Sequence, residues 1–116
     1  MSIINLENSA QIEQLVSGSN VKVLIFWASW CTPYKRIMPM LEEVAEENKD
    51  VDFIKIDADK FSDISEKLNF EPVTTIPVIV FMKDGKERAT LSGTQLKDYV
   101  TLIIEKVKAG ETFGRE

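Results

Sequence analysis

The only cysteine of the chain, Cys31, lies in the stretch WASWCTPYKRIMP at 27–39, where an apolar run ends and a helical pattern begins. A cysteine at the start of a helix faces unpaired backbone N–H groups and the positive end of the helix dipole, which favour a thiolate over a thiol. The thiolate is the nucleophilic form, so this position suits a reactive residue, and Lys35 adds positive charge nearby. The pattern predicts a nucleophile at Cys31; the alternative is an inert thiol that packs as a small apolar group.

The composition excludes several other kinds of chemistry. The chain has 116 residues, one cysteine and no histidine, so it has no intrachain disulfide, Ser-His-Asp triad or histidine-metal centre. Its net charge of −5 argues against a nucleic acid or an anionic membrane as the main partner. The start of the chain has no secretory pattern, and the longest apolar run, 23–28, is too short to span a bilayer. We expect one domain without a metal, located in the reducing cytoplasm.

Predicted strands and helices alternate along the chain, and they must position Cys31. The β-branched and aromatic run over 21–28 is typical of a strand buried on both faces, and it leads directly to Cys31. Further strands are predicted at 3–4, 51–57, 78–82 and 87–92. Helices are predicted over four segments: 9–17 with Ser9 as its cap, 34–47 with a kink at Pro39, 60–69, and an apolar stripe from Leu96 to Val107. This order predicts an α/β fold with helices on both faces of the sheet and an antiparallel hairpin at one edge.

The order of elements and the residues at their joints resemble the thioredoxin family over 21–104. The matching features are FWASWC at 26–31, Pro33, Lys35, Pro39, FIKID at 53–57, TIP at 75–77, FMKDGK at 81–86 and Gly93. The resemblance implies a single thioredoxin-like domain over 1–110, built on a central mixed β-sheet flanked by helices. A polar C-terminal tail at 111–116 would follow it.

The resemblance also implies roles for the residues around Cys31, which would be the catalytic nucleophile. The active-site loop would consist of Trp30, Thr32, Pro33, Tyr34 and Lys35, and the substrate groove of Thr75, Ile76, Pro77 and Gly93. Pro77 is implied to be cis and to pack against Cys31. The backbone of Ile76 is implied to pair with an extended substrate segment, as if a strand were added.

Two positions depart from the family pattern. Dithiol members carry a second cysteine where this chain has Tyr34, and that second thiol resolves the mixed disulfide left by the first attack. A phenol cannot close a disulfide, so intramolecular resolution is impossible. The family also usually carries a buried acid, which serves the resolving thiol, at the position of Ile25. Both losses fall in one half of the mechanism, and they indicate a natural monothiol variant.

Three functions remain open. In the first, Cys31 exchanges thiols with protein disulfides or glutathionylated proteins in cell redox homeostasis, an external thiol such as glutathione completes the turnover, and no cofactor is tightly bound. In the second, the chain is a non-catalytic binding or chaperone-like module that keeps the groove. In the third, two chains and two glutathiones supply four thiolates to an iron–sulfur cluster.

Three further side chains near the site are interpreted as structural. We interpret Tyr34 as a space-filling residue and Trp27 as a core residue, because aromatic residues in strands usually pack. Lys55 is interpreted as a solvated or snorkelling lysine in the middle of a strand.

Overall fold

A computed structural model of the protein describes residues 3–69 and 76–115. Within these residues, six strands and four α-helices follow one another, with a short 3-10 turn at Ser9–Gln11 before the first helix. The strands are β1 (Ile3–Asn5), β2 (Lys22–Trp27), β3 (Asp52–Asp57), β4 (Val78–Lys83), β5 (Lys86–Ser92) and β6 (Gly114–Arg115). The helices are α1 (Ile12–Leu15), α2 (Thr32–Glu47), α3 (Ile64–Lys67) and α4 (Lys97–Lys108).

All six described strands belong to one mixed sheet, in the order β1-β3-β2-β4-β5-β6. β1, β3 and β2 are parallel, and β4 is antiparallel to both of its neighbours, β2 and β5. The register aligns Ile25 of β2 with Lys55 of β3 on one side and with Ile79 of β4 on the other. The predicted α/β order with its antiparallel hairpin is confirmed.

Two apolar cores lie on the two faces of this sheet, because successive side chains of a strand point to opposite faces. On one face, Val23, Ile25 and Phe53 pack with the buried residues of α2 and α4. The other face packs against α1 and α3 and includes Leu24 and Ile54. Helices therefore cover both faces, as predicted. Trp27 and Lys55 each lie two residues after a residue of the first core, Ile25 and Phe53, so their side chains point to the same face, the one covered by α2.

Some predicted boundaries of the helices are wrong. The periodicity predicts that Leu96 begins the buried stripe of the last helix, but α4 begins at Lys97, and Leu96 is its N-cap residue and 78% exposed. The other predicted members of that stripe, from Val100 to Val107, are buried. At the first helical turn the cap is Asn8 rather than Ser9, and the Asn8 N–H donates to the side chain of Gln11.

The C-terminal tail adds to the edge of the sheet. The N–H of Phe113 donates to the carbonyl of Arg88 at 2.6 Å, and β6 then runs parallel to β5 with Gly114 beside Ala89. Gly114 has a φ of +79°, a conformation that glycine adopts without steric cost. The residues expected only as a polar tail therefore cover part of the outer edge of β5.

An ion pair between a buried lysine and a partly exposed aspartate lies at the end of β2 opposite to Cys31. The Lys22 side chain is 5% exposed, and its ammonium lies 2.5 Å from Asp52 and 2.7 Å from the side-chain oxygen of Asn20. Burial raises the pKa of Asp52, but the hydrogen bonds from Lys22 and Asn20 and the charge of Lys22 outweigh it and hold this pKa below its ordinary value.

We expect Asp52→Asn to lower the free energy of unfolding by about 1 kcal/mol at pH 7, because the buried Lys22 ammonium loses its anion while solvent around the partly exposed Asp52 screens the pair. The pKa of Asp52 is lower in the folded than in the unfolded chain, so its stabilisation is complete above the ordinary value of 3.8 and is lost as the pH falls through the folded value. Urea unfolding of both proteins at several pH values between neutral and strongly acidic measures this loss. The double variant Lys22→Met, Asp52→Asn should recover most of it, and an equal loss at every pH would contradict the prediction.

Candidate active site

Cys31 occupies the N-cap position of α2, with an extended backbone at φ −86° and ψ 102°. Its N–H donates to the carbonyl of Ala28 at 3.0 Å, which closes the turn between β2 and the helix. Pro33 lies in the first turn, where a missing N–H removes no helical hydrogen bond. The helix-start position of the thiol, predicted from the sequence, is thus confirmed. The residue as a whole is buried, with only 3% of its surface exposed.

Trp30, next to this thiol, is held in place although it is 66% exposed. Its indole N–H donates to the Asp59 carboxylate at 2.8 Å. The loop that carries Asp59 is itself ordered, because Asp57 accepts hydrogen bonds from the N–H groups of Asp59 and Lys60 at 3.0 and 3.2 Å. The ring therefore offers a fixed apolar surface beside the sulfur. Sequence reasoning missed Asp59, whose one local signal is an acidic residue just after a strand.

The loop before β4 contains a cis peptide bond between Ile76 and Pro77, as the family resemblance implied. The Pro77 carbonyl accepts a hydrogen bond from the N–H of Gly93 at 2.8 Å, and Gly93 has a φ of +80°. The structure thus brings together three of the four predicted groove residues. The fourth, Thr75, lies outside the described residues, and the contact of Pro77 with Cys31 stays a prediction.

The Tyr34 ring stacks on the Trp27 ring, and the Lys55 ammonium lies over both. We call these three side chains the aromatic stack. The two rings lie 4.9 Å apart at an angle of 22°, and the Lys55 ammonium lies 5.0 Å from the Trp27 ring and 5.7 Å from the Tyr34 ring. The half-buried Lys55 side chain makes cation–π contacts with both rings, which the interpretation as a solvated or snorkelling lysine did not include. The packing agrees with a space-filling role for Tyr34.

The indole nitrogen of Trp27 is buried and has no hydrogen-bond partner among the described residues. Trp27 therefore contributes to the stack through its ring alone. The three members of the aromatic stack come from β2, α2 and β3, so their contacts join the first turn of α2 to the sheet.

The remaining predicted loop residues lie on the surface. Thr32 and Lys35 are exposed at the beginning of α2, and no acidic side chain of the described residues forms an ion pair with Lys35. Within 3–69 and 76–115, no group of histidine, cysteine, aspartate or glutamate side chains is arranged to hold a metal ion. None of the helices in these two ranges is long and apolar enough to cross a membrane.

A mixed sheet between helices, a cysteine at a helix N-cap and a cis-proline loop nearby define the thioredoxin-fold class of redox proteins. The thioredoxin family model matches residues 3–106. The thioredoxin of Staphylococcus haemolyticus is 36% identical over 107 residues, covering 91% of this chain and 98% of the relative. That of Mycoplasmoides gallisepticum is 38% identical over 82 residues, covering 71% and 79%.

The fold agrees with solved structures of the same class. A thioredoxin from Nicotiana alata superposes with a TM-score of 0.79 at 28% identity, covering 90% of this chain and 91% of the other. The chain belongs to the thioredoxin family. It is a redox protein of that family with one cysteine in place of the usual pair.

Proposed function

We propose that the protein catalyses one-thiol disulfide exchange, with Cys31 as its sole nucleophile and glutathione as the external resolving thiol. The observation that carries the proposal is the place of Cys31 at the N-cap of α2, beside the fixed Trp30 ring. Helix N-termini favour the thiolate that such an attack requires. Tyr34 at the family's resolving position leaves the second step to a thiol from outside.

The substrates are protein disulfides or glutathionylated proteins that enter as extended segments. The backbone of Ile76 pairs with such a segment, and Pro77 and Gly93 line the groove; Thr75, outside the described residues, remains its predicted fourth member. Trp30 supplies an apolar docking surface, since most of its ring is exposed. Glutathione is a co-substrate, and the reaction uses no tightly bound cofactor. A single thiol of this kind works where reduced glutathione is abundant, so we place the protein in the cytoplasm.

The low exposure of Cys31 favours a second candidate, a non-catalytic binding or chaperone-like module that uses the same groove. In this case the thiol is a packed apolar group, and partners bind over Trp30 and Ile76. The same burial argues against iron–sulfur carriage, because two chains would have to present their sulfurs to one cluster.

The rate of alkylation by iodoacetamide, measured from acidic to alkaline pH, tests the proposal. We expect the folded chain to react faster at pH 6 than the urea-unfolded chain, in which an ordinary cysteine is almost entirely thiol. Reaction only after unfolding would mean that the chemistry is lost, and the binding module would become the better description. Cys31→Ser serves as the blank, because any alkylation that persists in it belongs to other side chains.

A further inference from the structure

A cavity of about 390 Å³ lies between α1 and the part of the sheet formed by β1, β3 and β2. Its volume is within the range of pockets that hold small molecules. Lys22, the first residue of β2, lines the cavity, whereas Cys31 comes after the last residue of the same strand. The length of a six-residue strand, roughly 20 Å, therefore separates the cavity from the thiol, and a ligand there does not depend on the proposed function.

One cation and one anion line this cavity. Among its described lining residues only Lys22 and Asp52 are charged, and their side chains are 5% and 43% exposed. An ammonium has three N–H donors, and that of Lys22 has two described acceptors, Asp52 and Asn20. Asp52 accepts from Lys22 and Asn20 through Oδ2, so its Oδ1 has no hydrogen-bond partner among the described residues. The pair thus keeps one donor and one acceptor, and its charges are complementary to a ligand that carries one charge of each sign.

Two carboxamides at the α1 side of the cavity add further donors. The Oε1 atom of Gln11 accepts from the N–H groups of Glu7 and Asn8 at 3.2 and 3.3 Å, which fixes the amide and leaves its NH₂ group to donate elsewhere. The side chain of Gln14 also lines the cavity and has no hydrogen-bond partner within the part of the chain that the structure describes. Together with Lys22, these donors favour a carboxylate.

The rest of the lining includes three aliphatic side chains. Ile54 is fully buried, Leu15 is half-buried, and Ile4 on the edge strand β1 is 47% exposed. A ligand with an aliphatic tail would remove part of this apolar surface from water, which is favourable.

We infer that the cavity binds a small zwitterion with an aliphatic tail, the chemistry of a free α-amino acid such as leucine. The ligand carboxylate accepts hydrogen bonds from Lys22 and the two carboxamides. The ligand ammonium donates to Asp52, and the tail packs on the aliphatic side chains. No bond is made or broken, so the cavity is a binding site separate from the candidate active site.

An NMR titration of the isotopically labelled full chain with L-leucine tests the inference. We expect saturable shifts of the backbone amide signals of Gln14, Lys22 and Ile54, with a dissociation constant of about 1 mM or lower. The signal of Cys31 should stay in place, because the thiol lies at the other end of β2.

Three analogues of leucine separate the contributions of its groups. Isocaproate lacks the ammonium and isoamylamine lacks the carboxylate, and each should bind at least about tenfold more weakly than leucine. Glycine keeps both charges but has no tail, and it should also lose at least about tenfold in affinity.

Two variants identify the residues responsible. The double variant Lys22→Met, Asp52→Asn removes both charges and should lower the affinity for leucine to that of the singly charged analogues. Gln14→Ala removes one exposed carboxamide and should weaken binding several-fold, whereas Gln95→Ala, the same change in the loop before α4, should leave it unchanged. If the double variant does not fold, the analogues still test the charge pair in the wild type.

Three results would overturn the inference. The first is a titration with leucine that does not saturate well above the expected dissociation constant. The second is equal affinity for leucine and for the two singly charged analogues, because the charge pair would then not recognise the ligand. The third is a set of saturable shifts centred on Pro77 and Gly93, since the ligand would then occupy the groove instead of the cavity.

Discussion

Replacing Cys31 by serine is expected to reduce the glutathione-dependent reduction of a small mixed disulfide by at least about a thousandfold. A serine hydroxyl stays protonated at neutral pH, and the chain has no histidine to activate it and no other cysteine to replace it. The measurement is the initial rate of oxidation of glutathione, coupled to glutathione reductase, with hydroxyethyl disulfide as the substrate.

The matched control for this experiment is Ser19→Ala, a small change at an exposed position in the turn before β2, away from Cys31. It should keep the rate within about twofold of the wild type, because surface substitutions of this kind have small effects. Circular dichroism shows whether each variant is folded. Substantial activity in a folded Cys31→Ser protein would rule out Cys31 as the nucleophile, whatever the control shows.

Replacing Ile25 by aspartate is expected to lower the free energy of unfolding by about 3–5 kcal/mol at pH 7, the range found when a buried charge lacks a partner. Ile25 is fully buried between Lys55 of β3 and Ile79 of β4. Lys55, the nearest cation along the register, is held over the rings of Trp27 and Tyr34. The new carboxylate would therefore have to lie in an apolar core.

The pH dependence of this loss has a definite sign. Burial raises the pKa of a carboxyl group, so the folded variant would bind a proton more tightly than the unfolded one. Its stability then falls as the pH rises through the ordinary range of aspartate, and the loss is smaller at pH 4 than at pH 7. Urea unfolding at both pH values measures it, and Ile25→Val is the control, with a loss of about 0.5–1.5 kcal/mol that does not depend on pH. A small loss would mean that Lys55 leaves the rings and pairs with the carboxylate.

The order of elements was predictable because apolar periodicity is a local property of the sequence. The continuous run over 21–28 requires a strand buried on both faces, and the structure places β2 in the middle of the sheet. Periodicity does not fix where a helix begins. Leu96 has the spacing of the buried stripe, but the first helical residue is Lys97, and one residue of difference turns Leu96 out to solvent. β6 has no apolar alternation, so nothing in its own sequence indicates a strand.

The candidate site was also predictable only in part, for the features that are local in the sequence. Cys31, Trp30 and the helix start are adjacent in sequence, so their arrangement follows from local rules. The aromatic stack joins residues of three elements that only the packing of α2 on β2 and β3 brings together. Nothing in the spacing of Tyr34 and Lys55 indicates that they share a contact. The hydrogen bond from Trp30 to Asp59 is likewise a tertiary feature.

The two tryptophans differ in their surroundings, so the intrinsic fluorescence of the protein can report whether Cys31 carries an adduct. The Trp27 ring lies inside the aromatic stack, whereas the Trp30 ring is exposed and adjoins the thiol. A disulfide close to an excited indole quenches its emission, so loading Cys31 should dim the solvent-exposed, red-shifted component and leave the component of the stacked Trp27 ring in place. Fluorescence can therefore follow the occupancy of the thiol in real time without any attached dye.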